Sequence, residues 1–580
     1  MGITGLVTEA VNGLGNHLSH LPASEAIIFD IAIILILSAM FAFVAKLLKQ
    51  PLIPAYVVTG LIIGPIVFGF VKNMDLIHAF SEIGVAFLLF TAGLEISFKK
   101  IKEANLKKIA IIGLLQVAAI FGIVFALSGF LDLTSLQAAY IGIILAFGST
   151  MVDIKLLADK NELVTLHGRL VLGILLLQDL IAIIAIVVFT AGGFEMGALG
   201  MAFLKLLVIF SIAIVLQKFV LKKIFKFAAK SNELLFLTSL AILFLFVILS
   251  YALELSIAIG AFIAGVSLAN SQFKLELESR ISPMRDFFAI LFFVALGMQI
   301  VFSGVGQNLL LFGFLLIGAF ILKPIITLIL LRLTGYHPRT SFLTSISLAQ
   351  LSEFSLIIGA IGVTTGVIDN GVFSTVILAT IITMSITPYL IGYKKSFYKI
   401  FKHPMSLLKF LPIHETTHYK DEKDKKILIV GFHRIGGVML DELLEKKDEL
   451  LVIDYNPDVI SMLVEKKISC IYGDITSPEL LDKIKLNKLK TVISTIPEYE
   501  SNVYLLKKIK GINPKIKVIL TGNRISEALK LYEKGADFVI TPKVVAGQKL
   551  ASIIHNGNSK IKDVKRDHIR HLKDVHNSLY

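Results

Sequence analysis

The chain has 580 residues, 55% of them hydrophobic and 17% charged, with a mean hydropathy of +0.80 and a formal charge of +14. An ordinary soluble domain is about 25% charged, so a large soluble enzyme is excluded. The charge is unevenly divided: residues 1–393 hold 23 Lys and Arg against 20 Asp and Glu, and residues 394–580 hold 34 against 23.

An oily part is thus followed by a basic hydrophilic one, and no nucleic-acid partner is implied. The single cysteine, Cys470, excludes an intrachain disulfide and a Cys-cluster zinc site. Residues 1–24 read as an extracellular segment without the pattern of a removable signal peptide.

About 20 apolar residues are needed to cross a bilayer. Thirteen such windows follow, at 25–47, 51–70, 75–97, 108–131, 134–157, 166–191, 197–221, 233–252, 254–272, 284–303, 307–333, 340–365 and 371–393. With the N-terminus outside, twenty Lys and Arg fall in and beside the inner loops, led by Lys99, Lys100, Lys102, Lys107 and Lys108 and by Lys218, Lys222, Lys223, Lys226 and Lys230. The outer loops hold one, Lys72. This positive-inside asymmetry predicts an outer N-terminus and a cytoplasmic C-terminal part.

An internal repeat runs through the windows. Gly93-Leu94-Glu95-Ile96 in the third answers Gly297-Met298-Gln299-Ile300 in the tenth, an offset of 204 residues, and Gly60 lies one residue out of register with Gly265. The offset spans seven windows, an odd number, so the two copies enter the membrane from opposite sides. Inverted repeats mark secondary transporters, whose substrate sits near the midplane where discontinuous helices meet.

Ionisable groups inside a bilayer are costly and usually functional. Asp179 lies mid-window with no basic neighbour in sequence. There a carboxylate either holds a dehydrated monovalent cation in competition with a proton or pairs with another helix. Gln178 beside it offers an amide oxygen or a bond between helices. Two polar breaks stand at the 204-residue offset, Gly148-Ser149-Thr150 in the fifth window and Ser352-Glu353-Phe354 in the twelfth. Such breaks expose carbonyls and half-helix ends beside a cavity, and Glu353 there balances positive half-helix N-termini. Lys323 pairs with Asp179 or Glu353 until the cation displaces it, or snorkels to an edge. Asp179, Gln178, Ser149, Thr150, Glu353, Ser352 and Lys323 are the candidate cation and proton site. Lys205 reads as a snorkelling lysine. Asp30, Glu95, Asp153, Arg169 and Glu254 fall closer to window ends, suited to gating or to interfacial ion pairs.

A basic linker, 394–424, leads to strands alternating with helices over 425–545. A strand at 426–430 runs into Gly431, His433, Arg434 and Gly436, and the next, Leu450-Leu451-Val452-Ile453, ends in Asp454. This is the order of a Rossmann nucleotide site, with phosphate on the glycine turn and ribose on the acid. His433 stands at the middle glycine, where a side chain crowds a pyrophosphate. Further strands are expected at 470–474, 491–494, 517–520 and 538–540, the first ending in Gly473 and Asp474. The tail, 546–580, is basic.

The whole set resembles the monovalent cation:proton antiporters of the potassium-efflux (Kef) type with a C-terminal RCK (KTN, TrkA-N) domain. In the membrane part the resemblance rests on Gly93-Leu94-Glu95, Gly148-Ser149-Thr150, His167-Gly168-Arg169, Gln178-Asp179, Gly260 to Gly265 and Gln350-Leu351-Ser352-Glu353-Phe354. In the soluble part it rests on Gly431 to Gly436, Asp454, Tyr472-Gly473-Asp474, Asn502 and Gly535-Ala536-Asp537. It implies an all-α polytopic membrane domain of thirteen transmembrane helices, with inverted repeats and crossed discontinuous helices, followed by an α/β Rossmann-like cytoplasmic domain. It further implies K+ or Na+ exchanged for H+, with Asp179 the shared carrier, Gln178 the mark of the potassium type and Lys323 the basic residue of the eleventh helix. An adenine nucleotide (AMP, ATP or NAD(H)) would be a regulatory ligand at Gly431, His433, Arg434, Gly436, Asp454, Gly473 and Asp474. A homodimer in the plasma membrane, lipid contact and a cytoplasmic regulatory subunit belong to the same picture. His433 and Thr521, where the family often has Gly and Arg, depart from it, and the tail is too short for a full second regulatory lobe. An RCK-gated potassium channel is the alternative, but its Thr-Val-Gly-Tyr-Gly filter does not occur in the membrane part. A nicotinamide oxidoreductase would need a redox partner site that no motif supplies.

Overall fold

The computed structural model describes residues 23–65, 67–71, 74–95, 106–160, 162–163, 165–190, 196–228, 231–269, 271–401, 418–419, 424–432, 444–473, 475, 484 and 486–555. The chain forms two compact units, a helical one of residues 1–163 and 167–413 and one built on a sheet, of residues 414–580 with 164–166. Among the described residues, nine helices are long and apolar enough to cross a membrane. Four more apolar helices are shorter: Leu52–Ile63, Ala79–Leu94, Ile257–Leu268 and Glu353–Thr364. Each of the thirteen windows holds one of these segments, but four fall below the length that by itself assigns a crossing.

Sequence breaks account for two of the shorter helices. The first, α1 (Leu52–Ile63), begins after Pro51 and stops at Gly64 before Pro65. The last is the second half of an interrupted helix. The twelfth window divides into Pro338–Ser347 and Glu353–Thr364, and the fifth into Ser135–Ala146 and Thr150–Asp159. Thr134 starts the fifth with a capping box to Gln137.

The inverted repeat is recorded in two reciprocal glycine contacts. Helix α1 packs on α4 (Lys274–Met298), and α2 (Met74–Glu95) packs on α3 (Ile257–Leu268). A Cβ on Gly60 would lie 1.9 Å from Val294 O and 3.0 Å from Gly297 Cα; one on Gly265 would lie 2.0 Å from Phe90 O and 3.0 Å from Gly93 Cα. Gly93 and Gly297 are repeat mates, and Gly60 and Gly265 are mates one residue out of register, so each copy lends one glycine to each contact. Only glycine lets two helix backbones come this close. Because a Cβ on Gly297 would meet the Val57 carbonyl at 2.0 Å, no side-chain rearrangement relieves the clash. Gly297→Val is expected to destabilise by at least the roughly 1–3 kcal/mol typical of overpacking, read as a lower unfolding temperature in detergent. An unchanged temperature would contradict the close packing.

In the second unit seven strands form one sheet in the order β1-β4-β3-β2-β5-β6-β7. The strands are β1 His418–Tyr419, β2 Ile427–Val430, β3 Leu450–Asp454, β4 Cys470–Tyr472, β5 Thr491–Ser494, β6 Lys517–Thr521 and β7 Phe538–Ile540. All pairings are parallel except β1 on β4. From β4 to β7 this is the doubly wound order, whose ligand crevice opens at the carboxyl ends of β2 and β5. The central strands are continuous apolar runs because helices cover both faces of such sheets. Leu428, Val430, Leu451 and Val492 fill one core, and Ile429, Val452 and Cys470 the other.

Candidate functional site

The two interrupted helices meet at their breaks. Helix α5 (Ser135–Ala146) stops before an extended Phe147, and α6 (Thr150–Asp159) restarts with Ser149 as its cap, the Ser149 hydroxyl accepting the Val152 N–H at 3.4 Å. In the second copy, α7 (Pro338–Ser347) ends before residues 348–352, and α8 (Glu353–Thr364) restarts under Ser352, which accepts the Phe354 N–H at 3.1 Å. Side chains stitch the breaks together. Gln350 Nε2 donates to Ser149 O (3.1 Å), and Ser355 Oγ donates to Ile144 O (2.7 Å) at the end of α5. The Glu353 carboxyl faces the Ser149 hydroxyl and the Met151 backbone. Ser149 and Glu353 are repeat mates at the 204-residue offset, so the pseudo-two-fold axis runs through this contact.

Lys323 is fully buried. It begins helix α9 (Lys323–Leu333), directly after a π-helical turn at Gly318–Leu322 whose Gly318 lies tight against Leu145 of α5. A π turn carries one extra residue per turn and often marks a functional position. Lys323 Nζ donates to Phe147 O (2.6 Å) and Gln350 O (2.7 Å), one carbonyl from each break. Its direct partners are therefore backbone oxygens, which half-helix C-terminal ends leave unsatisfied; the anticipated pairing with Asp179 or Glu353 is not among its hydrogen bonds.

Asp179 lies half-buried on α10 (Leu166–Thr190) and its Oδ2 accepts the Thr150 hydroxyl at 2.9 Å. Gln178 faces the interior. Its Oε1 accepts the Gly148 N–H (2.9 Å), and its Nε2 donates to Gln116 Oε1 (3.1 Å). Gln178 thus fixes the first break, and its amide oxygen carries a backbone bond. The carboxylate and the Thr150 hydroxyl thus meet at the start of the half-helix after the first break, and Lys323 and Gln350 join that break to the second.

Sequence reasoning passed over Gln350 as a site residue, although it quoted the motif around it, and placed Asp153 at a window end. Asp153 is instead fully buried in the first turn of α6. The expected end-of-helix ion pairing holds for Glu254, which meets Lys205 at 2.6 Å. The side chain of Glu95 lies outside the described residues.

Beside the loop that follows α6, Lys394 Nζ lies 2.5 Å from Glu162 Oε2 and 3.2 Å from His167 Nε2. Burial alone would raise the Glu162 carboxyl, but His167 and Lys394 outweigh it and hold it at about 2, below the ordinary 4.5. A lowered carboxyl stabilises the fold above its unfolded pKa, and this contribution fades as pH falls towards the folded value. Glu162→Gln is expected to cost about 3 kcal/mol of stability at neutral pH, from the size of the shift, read as a lower unfolding temperature, with the gap closing between pH 4.5 and 2. A gap independent of pH in that window would refute the assignment.

In the second unit Gly431 follows β2 with φ +84, and a Cβ there would lie 2.7 Å from Thr495 Oγ1. Asp454 at the end of β3 accepts the Phe432 N–H (2.6 Å) and the Asn456 N–H (2.7 Å), so the acid braces the glycine turn. Gly473 donates its N–H to Asp454 O (2.9 Å). His433, Arg434, Gly436 and Asp474 lie outside the described residues. Thr521 ties the edge of the crevice, its hydroxyl donating to Ser494 O (2.9 Å) while its carbonyl accepts Asn502 Nδ2 (2.8 Å).

Interrupted helices crossing at an acid, joined to a doubly wound nucleotide fold, define an ion transporter with a regulatory domain. Residues 31–392 match the family model "Sodium/hydrogen exchanger, transmembrane", and residues 427–542 match the TrkA-N domain. The chain belongs to the sodium/hydrogen exchanger family, as a multi-pass cation/proton antiporter carrying a TrkA-N domain. It is 28% identical over 494 residues to the glutathione-regulated potassium-efflux system protein KefC of Escherichia coli K12, covering 83% of this chain and 77% of that one. The protein of the same name from Salmonella schwarzengrund is 27% identical over 489 residues, with the same coverages. Among solved structures, the sodium proton antiporter MjNhaP1 from Methanocaldococcus jannaschii is 16% identical and shares the fold at a TM-score of 0.50, over 66% of this chain and 98% of that chain.

Proposed function

We propose that the chain is a secondary active transporter that exchanges K+ for H+ by alternating access, with Asp179 binding either ion in turn. The carrying observation is the Asp179 carboxylate bonded to Thr150 at the start of a half-helix. A proton on the acid and a cation between the acid, Thr150 and the break carbonyls compete for the same oxygens. Ser149 and Ser352 cap the half-helices, Glu353 offsets their positive ends, and Lys323 holds the two breaks in register. Relatives described as potassium-efflux proteins support K+ over Na+. The family's sodium/hydrogen description keeps Na+ as the second reading.

Regulation is assigned to the TrkA-N domain, where the turn at Gly431 and the acid Asp454 suit an adenine nucleotide, AMP, ATP or NAD(H). The working form is a homodimer with thirteen crossings in the plasma membrane, N-terminus outside and TrkA-N domain in the cytoplasm, in contact with lipid and open to a cytoplasmic regulatory subunit. Proton flux in proteoliposomes, titrated separately with KCl and NaCl and repeated with AMP, ATP and NADH, tests these points. Half-saturation at lower K+ than Na+ and a nucleotide-dependent rate are the expected results. Equal response to both cations would return the selectivity to the second reading, and indifference to all three nucleotides would remove the regulatory assignment.

A further inference from the structure

Asp153 is wholly buried, and neither of its carboxylate oxygens makes a full hydrogen bond among the described residues, although the Gln350 side chain faces it. Three charged groups face it, Lys323 from α9, Lys394 from the final long helix (Asn370–Phe401) and Glu353 from α8; the Gln350 side chain is the neutral polar group beside it. Both lysines are bonded elsewhere, Lys323 to the break carbonyls and Lys394 to Glu162 and His167.

This cluster leaves several buried acceptors unsatisfied. Gln350 Nε2 is committed to Ser149 O, which fixes the amide orientation and leaves Gln350 Oε1 without a donor, as is Glu353 Oε2. Four buried oxygens, two of them on Asp153, thus lack partners. Each such atom costs about 1–3 kcal/mol, and more if charged. A proton on the Asp153 carboxyl turns one of these acceptors into a donor and removes the charge. A second feature is its surroundings: Asp153 feels both Lys323 at the crossing and Lys394 of the Glu162–His167 cluster, while Gln178, next to Asp179, brings no charge.

We propose that Asp153 is a second proton-carrying residue of the exchange, loaded from the Glu162–His167–Lys394 side and discharged towards Lys323 and the crossing. The O–H bond of the carboxyl breaks, its electron pair stays on the carboxylate opposite Lys323, and the proton leaves to water admitted at the crossing. This rests on the exchange reading of Asp179.

The test uses the full chain in proteoliposomes, with KCl-driven proton flux measured across pH for the wild type, Asp153→Asn and Asp153→Glu. Asp153→Asn is expected to keep the half-saturating K+ concentration, to lose roughly 100-fold in maximal rate, the scale of a lost acid-base group, and to lose a limb of the pH profile; Asp153→Glu restores part of both. Wild-type rate and pH profile in Asp153→Asn would overturn the proposal. A wild type without cation-dependent proton flux would instead overturn the exchange reading. Where Asp153→Asn does not fold, infrared spectra of an Asp179→Asn, Glu353→Gln protein decide: a buried carboxyl band that titrates and shifts on Asp153→Glu supports the proposal, and its absence overturns it.

Discussion

Proteoliposomes carrying Asp179→Asn are expected to show no cation-dependent proton movement above empty vesicles, in a protein that folds and unfolds as the wild type does. Asparagine keeps the shape of the carboxyl and leaves the Thr150 hydroxyl an acceptor at the position now 2.9 Å away, so the helix contact survives. The charge is what disappears. A dehydrated monovalent cation held by neutral oxygens alone lacks the negative partner that offsets its lost hydration, and an amide neither takes nor yields a proton in the physiological range. Both halves of the exchange fail together, whereas loss of a pure packing contact would lower the unfolding temperature and leave residual flux. Exchange at the wild-type rate in Asp179→Asn would end the reading of Asp179 as the shared carrier. Thr150→Val is the graded companion: it removes one oxygen and leaves the acid, so it should raise the half-saturating cation concentration more than it lowers the maximal rate.

Much of this site was legible before any coordinate. Apolar windows and the 204-residue offset follow from composition and position alone. The offset correctly paired the two polar breaks, because a backbone break in a bilayer must be lined by polar groups. Its strongest confirmation is the contact between repeat mates Ser149 and Glu353 and the reciprocal Gly60–Gly297 and Gly93–Gly265 approaches. What failed was depth along the interrupted helices. Measuring Asp153 against the window boundary at 157 put it near an end, yet the helix restarts after the break at residues 147–149, so Asp153 falls in its first turn and in the interior. Partner choice was equally hidden. Lys323 was paired with acids on grounds of charge, but the backbone carbonyls freed by the breaks lie closer, and sequence spacing cannot rank a carbonyl against a carboxylate. In the TrkA-N domain the positions of β2 to β7 and the acid after β3 were readable, whereas β1 lies in the stretch read as a linker, and the use of the Asp454 carboxylate on two backbone N–H groups depends on a turn conformation that only coordinates supply.

Lys323→Met should cost far more stability than Lys205→Met, although both remove one lysine from an apolar helix. Lys205 meets Glu254, whose side chain is 85% exposed, so water screens the pair and competes for both ends; such pairs contribute about 0–1 kcal/mol. Lys323 is 0% exposed and bonds one carbonyl from each break. Methionine fills nearly the same volume but leaves Phe147 O and Gln350 O without that donor. Buried hydrogen bonds to a charged group are each worth about 1.5–3 kcal/mol, which places the loss near 3–5 kcal/mol, the range seen when one partner of a buried charged pair is removed. In detergent the unfolding midpoint of Lys323→Met should therefore fall clearly, and that of Lys205→Met should hardly move. Proteolysis should also report the site of damage, with cleavage appearing first around residues 147–149 and 348–352, where the two helices are interrupted. Equal and small effects of the two substitutions would mean that Lys323 is not what holds the breaks together.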